Sequence, residues 1–411
     1  MSTHTRAGSS LASELPPLRG CDGGFTADSI TRRLPLILQE MLDHNPSLPT
    51  VTASSLRTLQ KDIAANAALP QWDPDADEDG WRGTTRPLAD TWLTSPWFLC
   101  ENLLYRCMRD SCRAGGLPAH YDPCAPQKAA SLASAVPAFE RSVLPLSCGE
   151  PPALRPLLLR SLWGNRADLS LHTVAALAAG GAAGEGADAL LADDSARVVA
   201  ALERAAAGGG AGGGAATVGL LLDNCGLEAA SDLALADALL RSGLRVELWV
   251  KARAVFVSDV MEGDVEGHLE WLAERGLGGA ALAGRLRAAR REGTLRVRPH
   301  PFFSGPHAMW DMPGDLRAAL AAAALVIAKG DANYRRLLGD RHWPHETPFT
   351  EATAYFPAPL AALRTAKSGI VVGVTPEREA AAAAAHPNDW LTSGKCGLIQ
   401  MGGRLVDGPE H

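Results

Sequence analysis

Two oxygen-bearing side chains in succession, Asp223 and Asn224, close the apolar run "LLLDN", and a third, Asp259, closes "VFVSD" further on. Carboxylates and amide carbonyls are the donors that hard divalent cations such as Mg2+ or Mn2+ take, and such a set leaves positions for water and a phosphate oxygen. A third run, "VIAKGD", ends on Lys329-Gly330-Asp331 and opens "ANYRRLLGDRHW". Helix amide groups beyond Gly330, together with Lys329 and Arg335, would favour an anion there. "LRTAKSG" offers Arg364 and Lys367 as further cations. Acids at strand ends are also ordinary turn residues and helix caps, but three of them at three strand ends favour one shared site. Arg336 and Arg341 read as a solvated helix face. Cys225 reads as a small buried filler, because no histidine is near it in sequence to activate a thiolate.

Such residues need a scaffold that brings strand ends together. An open parallel sheet does so, because ligands bind beyond the carboxyl ends of its strands where the strand order reverses. The runs "TVGLLL", "RVELWV", "AVFVSD", "LRVRP", "ALVIAKGD" and "GIVVGV" are short, apolar and rich in β-branched residues, and several alternate with helical spacing. They predict βα units and an α/β fold with a mainly parallel sheet. Ahead of them, from about 28 to 114, apolar residues recur at three and four. In "SPWFLCENLLYRCMRDSCRAG" Pro96 suits the first helical position and Gly115 the end. Between the halves lies an Ala/Gly-rich tract with one helix expected near Asp194–Ala206 and a "GGGAGGG" tether. The expected organisation is an α-helical N-terminal domain over 1–165, a low-complexity insertion or linker over 166–216, and an α/β/α core over 217–411.

The totals narrow the partners. A net charge of −7 over 411 residues gives no basic footprint for a phosphate backbone, so nucleic acid is not an expected partner. Eight cysteines stand without any C-x-x-C pair, which argues against a zinc ribbon and fits reduced thiols in the cytoplasm. No segment approaches the roughly 20 apolar residues of a membrane helix, so no membrane partner is expected. The first dozen residues carry Ser, Thr and Arg without an acid, which only weakly excludes an organelle leader. Oligomeric state is not written in the chain.

Taken in order, "DNCGLEAASDLALADALL", "VSD", "KGDANYRRLLGDRHW" and "RTAK" resemble the metal-dependent damage-control phosphatases, in the subfamily marked by an R-T-x-K element. "SPWFLCENLLYR" and "NDWLTSGKCGLIQ" extend the likeness across nearly the whole chain. The resemblance implies an α/β/α core with an N-terminal helical domain, and hydrolysis of phosphate monoesters such as fructose 1-phosphate or fructose 6-phosphate. It implies a divalent metal (Mn2+, Co2+, Ni2+ or Mg2+) held by Asp223, Asn224 and Asp259, with Asp223 and Asp259 catalytic. It places Glu228, Asp331, Asn333, Tyr334, Arg335 and Lys367 around a small phosphorylated metabolite, with Arg364 supporting Lys367. Cys225 departs from the small residue usual after the Asp-Asn pair, which bears on substrate range. That subfamily includes a protein also proposed to methylate glutamate carboxylates. An S-adenosylmethionine-dependent carboxyl methyltransferase is therefore the alternative, although no glycine-rich loop follows the first strand.

Overall fold

The computed structural model describes residues 12, 14–72, 80–84, 90–150, 152–164, 190–209 and 214–404. Seven strands form one sheet: β1 Leu190–Asp193, β2 Thr217–Leu221, β3 Arg245–Lys251, β4 Leu295–His300, β5 Leu325–Lys329, β6 Pro359–Thr365 and β7 Gly397–Gly403. Their spatial order is β1-β7-β6-β5-β2-β3-β4. All neighbours run parallel except β6 and β7, which pair antiparallel. From β2 the chain winds outward through β3 to β4, then returns to the other side of β2 to lay down β5. The order therefore reverses between β2 and β5, and the residues after Leu221 and Lys329 emerge on either side of that crevice.

Strand side chains alternate between two cores. Val218, Leu220, Val246, Leu248, Leu325, Ile327, Ala361 and Leu363 face one. Leu221, Trp249, Val326, Ala328, Leu360 and Ala362 face the other. Burial on both faces explains why these strands read as unbroken apolar runs. The helix Leu227–Arg241 is buried at 13 of its 15 positions, which its Ala/Leu composition permits all round. It lies between the sheet and the helices Leu154–Trp163 and Gly276–Glu292. The opposite core is covered by the helices Leu34–His44, Thr50–Ala64 and Trp97–Ala114. The last begins just after Pro96 and is capped by Gly115.

Several expectations require correction. The residues before 164 do not form a separate core: those before 115 close one face of the sheet, while Phe139, Leu157 and Leu158 close the other. Within the expected linker, Leu190–Asp193 is an edge strand on β7, while Ser195–Gly208 is the helix expected near Asp194–Ala206, its Val198 and Leu202 fully buried. Residues 166–189 and 210–213, including most of the glycine tether, lie outside the described residues. "GIVVGV" is no strand; it runs irregularly beneath β6, Gly373 and Val374 donating to the carbonyls of Thr347 and His345. The strand in that region is the preceding "PLAALRT". All eight cysteines are described and none is paired in a disulfide.

Candidate functional site

"AVFVSD" looks like a strand but folds as a tight loop after β3. Phe256 and Val257 adopt positive φ, 51° and 46°, a conformation that is an outlier for bulky and β-branched residues and clusters at functional sites. The loop turns back so that Asp259 bridges Asn224 antiparallel. Val260 N–H donates to the Asp223 carbonyl at 2.8 Å, and Cys225 N–H to the Ser258 carbonyl at 2.7 Å. Asp223, Asn224 and Asp259 thus meet at one rim, as their spacing suggested, although a strand alone would not have brought Asp259 there.

Lys251, the last residue of β3, lies beneath them. Its buried ammonium is 3.2 Å from Asp223 Oδ1 and 3.0 Å from Asp259 Oδ2, and donates to the Leu222 carbonyl at 2.7 Å. The Asp259 oxygen nevertheless accepts no hydrogen bond of acceptable geometry. Asn224 is fixed from both ends. Its Nδ2 donates to Asp223 Oδ2 and Glu228 Oε2, each at 3.0 Å, and its Oδ1 accepts from Ser258 Oγ at 2.6 Å. Burial pushes the Asp259 carboxyl up to about 8, with one ammonium shared between two acids too little to offset it. The Asp223 carboxyl is raised for the same reason. Burial opposes the Lys251 charge, but Asp259 and Asp223 outweigh it and hold its pKa above the ordinary value.

A second buried group backs the first. Lys329 Nζ is 3.0 Å from Glu228 Oε1 and 3.1 Å from Asp232 Oδ1, and donates to the Ser161 carbonyl. Lys329 is therefore committed beneath the rim and does not present its charge to a ligand, contrary to the sequence reading. Four buried carboxylates (Asp223, Asp259, Glu228, Asp232) face two buried ammonium groups (Lys251, Lys329). Full ionisation would leave two more negative charges than positive ones, which is why burial raises the Asp223, Asp232 and Asp259 carboxyls.

Gly330 makes this closeness possible. Its φ is +76°, and a Cβ there would stand 1.8 Å from Asp223 Oδ2. From Gly330 the helix runs to Leu338 and presents Asp331 and Arg335 to the same cavity. Arg364 Nε donates to Asp331 Oδ1 at 2.7 Å, as do Lys367 N–H at 3.2 Å and Ser368 Oγ at 3.0 Å. Burial alone would raise the Asp331 pKa; Arg364 and Arg335 outweigh it and hold the carboxyl below its ordinary value. Arg335 is clamped between Asp340 and Glu101 over the Trp97 ring.

The cavity holds about 270 Å³ and is lined by Asp223, Asn224, Asp259, Asp331, Arg335 and Lys367. Arg33, Glu101, Tyr105 and Phe256 complete the wall, so the N-terminal helices build part of it. Glu228, Asn333, Tyr334 and Arg364, expected around a substrate, do not line it. Asn333 donates to the carbonyls of Leu221, Leu222 and Lys329, and Tyr334 OH donates to Gln400. They hold the strand ends in place from behind. Arg336, expected in solvent, is 1% exposed. Sequence reasoning missed Lys251, Arg33, Glu101 and Tyr105. A lysine closing an otherwise apolar strand was a usable signal for the first; the others sit on helical faces with nothing local to mark them.

A helix-flanked, mainly parallel sheet with an acid-rich cavity at its reversal point defines a doubly wound α/β protein with its polar chemistry at the carboxyl edge. The chain belongs to the family described as the damage-control phosphatase ARMT1-like domain, whose model matches residues 29–382. It is 31% identical over 340 residues to the damage-control phosphatase ARMT1 of Danio rerio, covering 76% of this chain and 74% of that protein. To the same-named protein of Xenopus tropicalis it is 28% identical over 437 residues, covering 92% and 97%. To that of Mus musculus it is 38% identical over 195 residues, covering 46% and 44%. Among solved structures, a DUF89 family protein from Pyrococcus horikoshii aligns with a TM-score of 0.46 at 15% identity, over 83% of this chain and 92% of that one.

Proposed function

We propose that the chain is a divalent-metal-dependent phosphatase of small phosphorylated metabolites, with sugar phosphates such as fructose 1-phosphate or fructose 6-phosphate as the substrate class. The observation that carries this reading is the crowding of four buried carboxyl groups against two ammonium groups beside an open cavity, with the Asp223 and Asp259 carboxyls pushed up by burial for want of a further cation. Among the described residues no three His, Cys, Asp or Glu side chains form a ready metal cage. The candidate donors are instead two carboxylates and an amide, an all-oxygen set suited to Mg2+ or Mn2+.

Asp223, Asn224 and Asp259 would hold the cation, which when bound supplies Lewis acidity toward a phosphoryl oxygen and a water of lowered pKa. Lys367 and the amide groups at the start of the Gly330 helix face the phosphoryl oxygens, positioning and stabilising charge as phosphoryl transfer requires. Asp331 does not repel that anion, because Arg364 neutralises it. Tyr105 packs against Phe256, ring centroids 5.5 Å apart and planes tilted by 51°, as an aromatic part of the cavity wall. A cavity of about 270 Å³ suits one phosphorylated sugar better than a nucleotide. The test is release of phosphate from a panel of sugar phosphates and an aryl phosphate, across divalent metals and with chelator. Turnover that survives exhaustive chelation, or that persists in a folded Asp223→Ala protein, refutes the proposal.

A further inference from the structure

The helix Gly330–Leu338 also borders a second cavity of about 300 Å³, which shares Arg335 with the first but is lined by Arg336, Arg341 and Trp310. Arg336 is buried and, among the described residues, pairs with no carboxylate. Its guanidinium donates to the carbonyls of Gly305, His307 and Phe303, and its Nε has no partner. The two acids whose field reaches it, Asp259 and Asp223, are already held by Lys251. Burial pulls the Arg336 pKa down to about 10. Arg341 adds a second guanidinium on the same wall, 5.9 Å over the Trp310 ring, its Nε buried without a hydrogen-bond partner among the described residues while NH1 donates to the Leu15 carbonyl. Of the two acids on the wall, Asp340 is taken by Arg335; burial raises the Asp311 pKa, and the Arg341 guanidinium, which it faces, opposes that rise, so Arg336 is the guanidinium left without a carboxylate. A buried guanidinium without a counter-ion is costly, and the planar fork of arginine matches oxyanions. Thr84, His307 and Trp310 are partly exposed, so the cavity has a mouth.

We propose that this cavity is a second anion site, taking a small oxyanion such as inorganic phosphate or the phosphate head of a metabolite between the Arg336 and Arg341 guanidinium groups. It stands independently of the hydrolase reading. The experiment is calorimetric titration of inorganic phosphate, without added metal, into the full chain and its Lys367→Ala and Arg341→Gln variants. Saturable binding is expected to persist in Lys367→Ala, which removes the lysine of the acid-lined cavity. It should weaken about tenfold in Arg341→Gln, the loss of one charge-assisted hydrogen bond. Arg336→Lys should weaken it similarly, because the charge remains but the fork is gone. Absence of binding, or binding lost with Lys367 and indifferent to Arg341, overturns the proposal.

Discussion

Gly330→Ala tests whether the closeness of Asp223 to the Gly330 helix sets the activity. The added methyl would lie 1.8 Å from Asp223 Oδ2, 2.4 Å from its Cγ and 2.6 Å from its Cβ. Restoring ordinary contact distances requires Asp223 or the helix start to move by roughly 1.5 Å. The left-handed backbone costs a further 1–2 kcal/mol or so for alanine, and the overpacking about 1–3 kcal/mol. Gly243 supplies the control: its φ is +84°, and its Cβ would meet nothing within 4 Å. Gly243→Ala therefore carries the backbone cost alone. The difference between the variants isolates the clash. Under the proposed function, a displacement of this size at a metal-binding carboxylate should lower turnover on the order of a hundredfold. Equilibrium denaturation, metal titration followed by thermal midpoint, and phosphatase assays on the matched pair read all three quantities. Equal activity and equal metal-dependent stabilisation in the two proteins would refute the reasoning.

Lys251→Met leaves two carboxylates sharing a buried site without their ammonium; a loss of about 3–5 kcal/mol is expected, with a larger stabilisation by added Mn2+ than the parent shows in the same thermal titration. Lys367→Ala should raise KM with metal-dependent stabilisation unchanged. Arg364→Ala should instead lower stability itself, by about 3–5 kcal/mol, because it strands Asp331; denaturant titration separates the two. The metal-free protein should lose stability as pH rises from about 4 to about 8. Asp259 keeps its proton in the folded state up to about 8, whereas the unfolded chain releases it near 3.8, so ionisation is harder in the fold and works against it. Metal affinity should climb over the same interval as binding displaces that proton, checked by titrations at several pH values.

The polar rim was legible because acids closing apolar runs mark strand ends whatever the strand order. Asp223, Asn224 and Asp331 follow directly from β2 and β5. Asp259 was located for an incomplete reason: its β-branched neighbours suggested a strand, but the bridge to Asn224 overrode that propensity and forced Phe256 and Val257 into positive φ. "GIVVGV" misled in the same way, since burial beneath β6 demands apolar residues without demanding extension. Leu190–Asp193 was hidden by brevity within a tract of low complexity. Glu101 meets Arg335 across most of the chain, a pairing no local pattern announces. The same limit separated Lys329, read as a ligand donor, from the Glu228 and Asp232 that claim it.

The reversed strand β7 has a temporal consequence. It is inserted between β1 and β6, and Gln400 on it accepts from Tyr334 OH and donates to the Val372 carbonyl. A nascent chain still short of residue 397 lacks the strand that, among the described residues, joins β1 to the rest of the sheet, and lacks the bracket behind the helix that carries Asp331. Every residue that lines the cavity precedes β7, so its lining is synthesised before the bracket that steadies it, and until β7 pairs the β6 edge stands open to wrong partners.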